Sequence, residues 1–225
     1  NGQLVAYGLS QQGSEDAVLH LLDTRTMKAI GKPIDRAQFG SVDWSPDGKT
    51  MLFNRLQEMK PGMPETEKFQ RSQMLSLKVG ADVATAKRVF GVGSPGASIR
   101  PAEVPVVVPS YDGKWAIGLG INGTQRELSV YVMRQAELWS GKGRWRRVVD
   151  YGDDVTGLGY HGDQLYLTTH KGAPRSKVLV IDLRKPDIKQ AREVIPASDR
   201  VITNIAAAAD GLYIEVRDGN VKRLL

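Results

Sequence analysis

The sequence predicts an all-β propeller built of four-stranded blades. Three observations predict it. A turn pair ending in glycine, with an apolar strand on each side, recurs at Asn1-Gly2, Asp47-Gly48, Asp112-Gly113, His161-Gly162 and Asp210-Gly211. Its glycines stand 46, 65, 49 and 49 residues apart, and a self-similar period of about 20–50 residues marks a repeat architecture. Each interval holds up to four short strand-like runs, the content of a propeller blade. Some runs, such as Val106-Val107-Val108 and Val178-Leu179-Val180-Ile181, are apolar on successive residues. Such strands are buried on both faces, as in a sheet packed between two others. A two-layer sandwich shows cleaner alternation; with irregular strands it is the second architecture the pattern allows.

The first unit, residues 1–34, carries strands at 4–9, 18–22 and 29–34. The second, 41–91, carries them at 41–44, 50–54, 73–77 and 87–90, with a Pro-, Glu-, Lys- and Gln-rich surface loop inserted at 58–72. The third, 105–150, has strands at 105–108, 115–119, 128–132 and 145–150. Pro105 is acceptable there as the first residue, where no ladder donor is needed. The fourth, 155–196, has strands at 155–160, 164–169, 177–183 and 192–195, and residues 187–193 read as a helical turn or a loop. The fifth, 201–225, has strands at 202–208 and 212–216, with Leu225 where a third is due to start. In each hairpin the turn pair fits a two-residue type I′ turn, whose central residues need positive φ. Residue 1 already lies in a turn, so the pattern reads as three full units flanked by two partial ones. Either the partial units complete one blade, or the chain is a piece of a larger ring.

Composition narrows the function. The chain has 225 residues, 41% hydrophobic and 25% charged, which is ordinary for a globular protein. It has no cysteine, which excludes disulfides, thiolate metal sites and a cysteine nucleophile. No apolar run is long enough to span a bilayer, and no basic-then-apolar leader opens the chain. His20, His161 and His170 are too dispersed for a local metal motif. A net charge of +6 can mean an anionic partner, and the cations are densest at Lys142, Arg144, Arg146 and Arg147 around Trp145. No nucleic-acid module accompanies them, so they read as a basic solvated strand.

Ordered motifs add a resemblance. Asp43-Trp44-Ser45-Pro46-Asp47-Gly48-Lys49 runs into Thr50-Met51-Leu52-Phe53-Asn54-Arg55; upstream lie Tyr7-Gly8-Leu9-Ser10, Gly13-Ser14-Glu15-Asp16 and a strand ending in Asp23. Downstream, Thr169-His170-Lys171-Gly172-Ala173-Pro174-Arg175-Ser176-Lys177-Val178 is followed by Asp182. In this order the motifs resemble the prolyl oligopeptidase family of serine peptidases, in its N-terminal propeller, a seven-bladed ring. Residues 79–148 share only the blade rhythm. Met27 departs from the family, which usually has a glycine there, and Ala17 replaces a larger residue.

The resemblance implies a non-catalytic domain that caps an α/β-hydrolase domain lying outside these residues and gates the access of short peptides, cleaved commonly after proline, to it. The implied partners are that hydrolase domain and the peptides, with no nucleic acid, membrane, metal or cofactor. The residues leave the compartment of a soluble chain open between cytoplasm and periplasm. A stand-alone TolB-like propeller serving as a protein-binding scaffold is the alternative, and an enzyme using the central pocket a third reading. Serine hydrolysis on such a fold needs Gly-x-Ser-x-Gly, and no such pattern occurs in the sequence. Ser94 and Ser98 each come near it and read as surface turns. Glu15-Asp16 and Asp153-Asp154 read as polar turns, as does the glycosylation-like Asn122-Gly123-Thr124. Tyr166, Trp115 and Trp139 read as core or blade-edge aromatics. Phe53 and Arg55, on the matched outgoing strand, are the candidates for lining the peptide's path, with blade packing as the competing role of each.

Overall fold

A computed structural model describes residues 2–39 and 42–225. Asn1 of the first turn pair and Ser41 of the 41–44 strand lie outside the described residues. The described residues form five antiparallel sheets in chain order, the arrangement of successive propeller blades. The first sheet holds β1 (Leu4–Ser10), β2 (Ala17–Asp23) and β3 (Lys28–Ala29). The second holds β4 (Val42–Trp44), β5 (Thr50–Arg55), β6 (Gln73–Lys78) and β7 (Lys87–Gly91). The third holds β8 (Glu103–Pro109), β9 (Trp115–Asn122), β10 (Leu128–Arg134) and β11 (Arg146–Val149), with helix α1 (Gln135–Ser140) between its last two strands. The fourth holds β12 (Val155–His161), β13 (Gln164–Thr169), β14 (Lys177–Asp182) and β15 (Arg192–Ile195), and the fifth β16 (Val201–Ala207), β17 (Leu212–Asp218) and β18 (Val221–Leu224).

The core lies between sheets. Side chains alternate across a strand, and here both sets find a neighbouring sheet. Met51 and Phe53 of β5 pack with Leu19 and Leu21 of the first sheet, whereas Leu52 between them packs with Val107 and Tyr131 of the third. Ala116 of β9 turns back to the second sheet; Trp115 and Ile117 turn forward to Leu165 and Leu167 of the fourth. A smaller cluster of Val178, Ile202, Ile205, Ile214 and Val216 joins the last two sheets. This burial on both faces is what the unbroken apolar runs encode.

Polar bonds add directionality between sheets. Asn54 Nδ2 donates to the Pro105 carbonyl (3.0 Å), Trp145 Nε1 to the Val89 carbonyl (2.9 Å) and Trp115 Nε1 to Asp163 Oδ1 (3.0 Å). Each satisfies a donor that would cost free energy if buried alone.

Because neighbouring strands run antiparallel, loops divide between two faces. One face carries the first-to-second strand turns, such as 45–49 and 110–114. The other carries the second-to-third strand loops and the connections between sheets. On the turn face, residues at the ends of β4, β8, β12 and β16 line two adjoining hollows that share Tyr111 and Asp112. These four strands therefore converge there as the inner strands of their sheets.

Several local expectations change. Pro105 is the third residue of β8, not its first. It is tolerated because β8 is an edge strand, so a missing N–H there breaks no ladder. The turns at 45–48 and 110–113 are not type I′: among their residues only Gly48 (φ +67) and Gly113 (φ +75) have positive φ. Gly48 N donates to the Ser45 carbonyl (2.8 Å) and Gly113 N to the Ser110 carbonyl (3.0 Å), so glycine is the fourth residue of the turn. In the fourth sheet His161 pairs with Gln164, so the turn residues are Gly162 and Asp163. The strand expected at 29–34 shrinks to β3 and a lone bridge between Leu19 and Ile34, since Gly31 (φ +68) and Pro33 interrupt it. The third strand of the last sheet is already formed at β18, short of Leu225.

Candidate functional site

On the connection face, a cleft of about 310 Å³ opens between the first two sheets. Ala17, Val18, Leu56 and Met59 supply its apolar lining, and Asp16, Asp35, Arg36 and Lys68 its charges. The inserted loop after β5 forms one wall; its segment Glu65–Phe69 is a short 3-10 helix. Lys68 closes the cleft against Asp16 through an ion pair between the two sheets.

Arg55 ends β5 beside this cleft, next to the lining residue Leu56. Its guanidinium pairs with Asp35 Oδ1, and its Nε donates to the Asp35 backbone carbonyl (3.3 Å). Arg36 Nε also reaches Asp35 Oδ2 (3.1 Å). Partial burial pushes the Asp35 carboxyl up, but the hydrogen bond and charge of Arg55, helped by Arg36, outweigh it and hold the group below its ordinary value. The cleft lining thus includes an ionised Asp35 held by Arg36 within it and by Arg55 beside it. Phe53, two residues earlier, is 1% exposed and sits in the cluster between the first two sheets. Strand alternation would put both on one side, but only Arg55 retains solvent contact.

A second polar knot lies where the third sheet joins its neighbours. Glu103, 1% exposed, has Oε1 3.4 Å from Arg100 Nε. The Tyr151 hydroxyl donates to the Gly120 carbonyl (3.1 Å), and the Arg100 guanidinium lies 4.8 Å from the Tyr151 ring centre. Burial pushes the Tyr151 phenol up to about 12, and the charge of the neighbouring Glu103 adds to this. A phenol held neutral in this way fixes a connection and is unsuited to proton transfer near neutrality.

The other sequence candidates fall apart in space. Ser94 is buried in a turn, with its N–H on the Gly91 carbonyl (3.1 Å), and Ser98 lies exposed four residues on. His20 stacks on Tyr7 (5.3 Å between ring centres), His161 is exposed in its hairpin, and His170 Nε2 lies 3.0 Å from Glu127 Oε1. That last pair ties a loop of the fourth sheet to one of the third. Asp150 and Asp153 cap a 3-10 turn, and Asp154 ends it in the left-handed conformation (φ 53). Trp145 is 2% exposed, so the basic cluster around it has no aromatic available for stacking. Asp35 and Tyr151 escaped sequence reasoning, because lone acids and tyrosines in connections carry no local signal. Among the described residues no group of three His, Cys, Asp or Glu could hold a metal, and no helix is long and apolar enough to cross a membrane.

Comparison with known proteins places this architecture. A family model described as the N-terminal β-propeller domain of prolyl oligopeptidase matches residues 1–225. The chain is similar to the dual function macrocyclase-peptidase POPB of Galerina marginata, at 24% identity over 99% of this chain and 31% of the relative. It is also similar to prolyl oligopeptidase A of Amanita bisporigera, at 24% identity over 87% of this chain and 27% of that protein. It therefore spans about a third or less of the length of these relatives. Among solved structures, a prolyl endopeptidase superposes with TM-score 0.84 at 22% identity, over 99% of this chain and 32% of that one. Oligopeptidase B of Leishmania major superposes with TM-score 0.76 at 15% identity, over 99% of this chain and 29% of that one. At these identities the structures show a shared fold.

Proposed function

The chain belongs to the prolyl oligopeptidase family, as its N-terminal β-propeller domain, and from that premise we propose that it serves as a non-catalytic gate over a serine-hydrolase domain, admitting short peptides and keeping folded proteins out. The observation that carries this reading is the match of residues 1–225 to the propeller alone, joined to a sequence without Gly-x-Ser-x-Gly. The relatives named above are roughly three times longer than the matched stretch. A rigid ring of sheets can exclude by size, because its interior packs like a crystal and resists opening. Within the gate, Arg55 is the residue we assign to the peptide's path: its pair with Asp35, which lines the cleft, holds a planar donor beside it, and arginine suits peptide carbonyls and carboxylates. Phe53 supports it from the sheet-to-sheet core. The scaffold alternative has no observation of its own.

A serine-hydrolase probe applied to the full-length protein tests the division of labour. The reading expects one labelled serine, located outside residues 1–225. Label on any serine inside that range, or a gene encoding no hydrolase domain after Leu225, would falsify it.

A further inference from the structure

The turn face holds a feature that neither the cleft nor the gate accounts for. Tyr111, in the turn after β8, is 101% exposed. An aromatic ring left wholly in water marks a contact surface when other apolar groups adjoin it. Here they do: a hollow of about 440 Å³ is lined by Trp44, Pro46, Pro109 and Tyr111, with Asp43 and Asp112. Tyr160, at the end of β12, lines the adjoining hollow on the other side of Tyr111.

The charges in the first hollow share one sign. Its lining includes two carboxylates and no lysine or arginine, in a chain whose net charge is +6. Asp112 Oδ2 has Lys114 Nζ 3.7 Å away, whereas the Asp43 side chain has no hydrogen-bond or ion-pair partner among the described residues, its backbone pairing with Leu52 in the ladder. Burial accordingly raises the Asp43 carboxyl. Burial raises the Tyr160 phenol, and the charges of Tyr111, Asp43 and Asp112 add to this; Tyr111 and Asp112 line both hollows.

We propose that this hollow binds the protonated amino terminus of a peptide, its ammonium between Asp43 and Asp112 and its first side chain against Tyr111 and Trp44. Size and charge select that occupant. A hollow of about 440 Å³ holds one or two residues. It lies where the inner strands converge, and a flexible peptide meets such an opening by one end. The two ends differ in charge, and paired carboxylates favour the ammonium and repel the carboxylate. Aromatic faces add attraction for the same cation. The peptide as ligand rests on the proposed gating function; the recognition of an ammonium end stands on the residues themselves.

Binding is measured on the full chain by titration calorimetry with Phe-Pro-Ala-Ala amide, its N-acetyl counterpart, and N-acetyl-Phe-Pro-Lys-Ala amide. The free-amine peptide should bind at least about tenfold more tightly than either acetylated one. Tyr111→Ala and Asp43→Asn should each weaken it about fivefold. Tyr111 is outside the core and Asp43→Asn removes a half-buried charge, so both variants should melt no lower than the parent chain. Equal binding of the acetylated peptide, or undiminished binding by both variants, overturns the site. Equal binding of the N-acetyl lysine peptide overturns the choice of the terminus. Because no hydrolysis is read, failure here leaves the gate standing if the full-length protein still selects by peptide length, and the converse failure leaves this site standing.

Discussion

Ser45 and Ser110 occupy the same place in successive sheets and make the same hydrogen bonds. Ser45 Oγ donates to Asp47 Oδ1 (2.6 Å) and accepts from Thr50 N (2.9 Å); Ser110 Oγ donates to Asp112 Oδ1 (2.7 Å) and accepts from Trp115 N (2.9 Å). In both turns the aspartate also accepts from the backbone N–H of a lysine, Lys49 or Lys114, at 3.1 Å. The serine thus replaces one rung of the ladder where the chain reverses, and the glycine after the aspartate supplies the left-handed residue.

Replacing either serine by alanine leaves a strand N–H without its hydroxyl partner. Each of Ser45→Ala and Ser110→Ala should cost about 1–2 kcal/mol in urea unfolding. Being in separate turns, the two losses should add to within about 0.5 kcal/mol in the double variant. A neutral single variant would show that water takes over the bond.

Two glycines with similar φ should respond very differently to alanine. A Cβ on Gly48 (φ +67) would meet nothing within 4 Å, so Gly48→Ala should cost only the backbone strain, about 1 kcal/mol. At Gly96 (φ +77) a Cβ would sit 2.0 Å from the Trp145 carbonyl oxygen. The two backbones must separate, so Gly96→Ala should cost upwards of about 3 kcal/mol or abolish folding. Comparable unfolding midpoints for the two variants would contradict the close approach.

Met27 (φ +55) is 71% exposed and holds a left-handed conformation after the Asp23 turn. Glycine adopts that conformation without strain. Met27→Gly should therefore stabilise the chain by about 0.5–1 kcal/mol despite the added chain entropy. A lower melting temperature would indicate that the methionine side chain contributes contacts worth more than the strain.

Asp43 sets a pH dependence of definite sign. Burial raises its folded-state pKa, so the folded chain holds this proton more tightly than the unfolded one. The group therefore weighs against folding once pH exceeds its unfolded value, and the penalty vanishes at low pH where both states are protonated. Asp43→Asn should raise the melting temperature at about pH 7 and leave it unchanged near pH 3. A gain of equal size at both pH values would locate the effect elsewhere than the charge.

Repeat, sheet number and strand order were legible because each depends on local chemistry: glycine at reversals, and apolar residues on both sides of a strand. Residues 164–169 and 192–195 form strands with the ends the pattern assigns. What misled was chemistry shared between conformations. Asp-Gly fits a type I′ turn as well as the fourth-position turn seen here, and only the serine two residues before Asp47 and Asp112 tells them apart. Helix α1 is six residues long, too short for a helical period to appear. Contacts such as Glu127–His170 or Arg55–Asp35 join residues 43 and 20 positions apart across sheets, a distance over which no local pattern carries. Phe53 and Arg55 look equivalent on one strand; their separation into buried core and partly exposed strand end follows from where the strand leaves the packed interior.

The central claim is selection by size at a propeller gate. It is tested most directly by giving the full-length protein one proline-containing sequence in two forms, as a free peptide of about ten residues and as an exposed loop in a folded carrier protein, and measuring both cleavage rates. The account predicts rapid cleavage of the free peptide and cleavage of the loop lower by at least about a hundredfold, since the barrier is steric. Comparable rates for the two forms would contradict it.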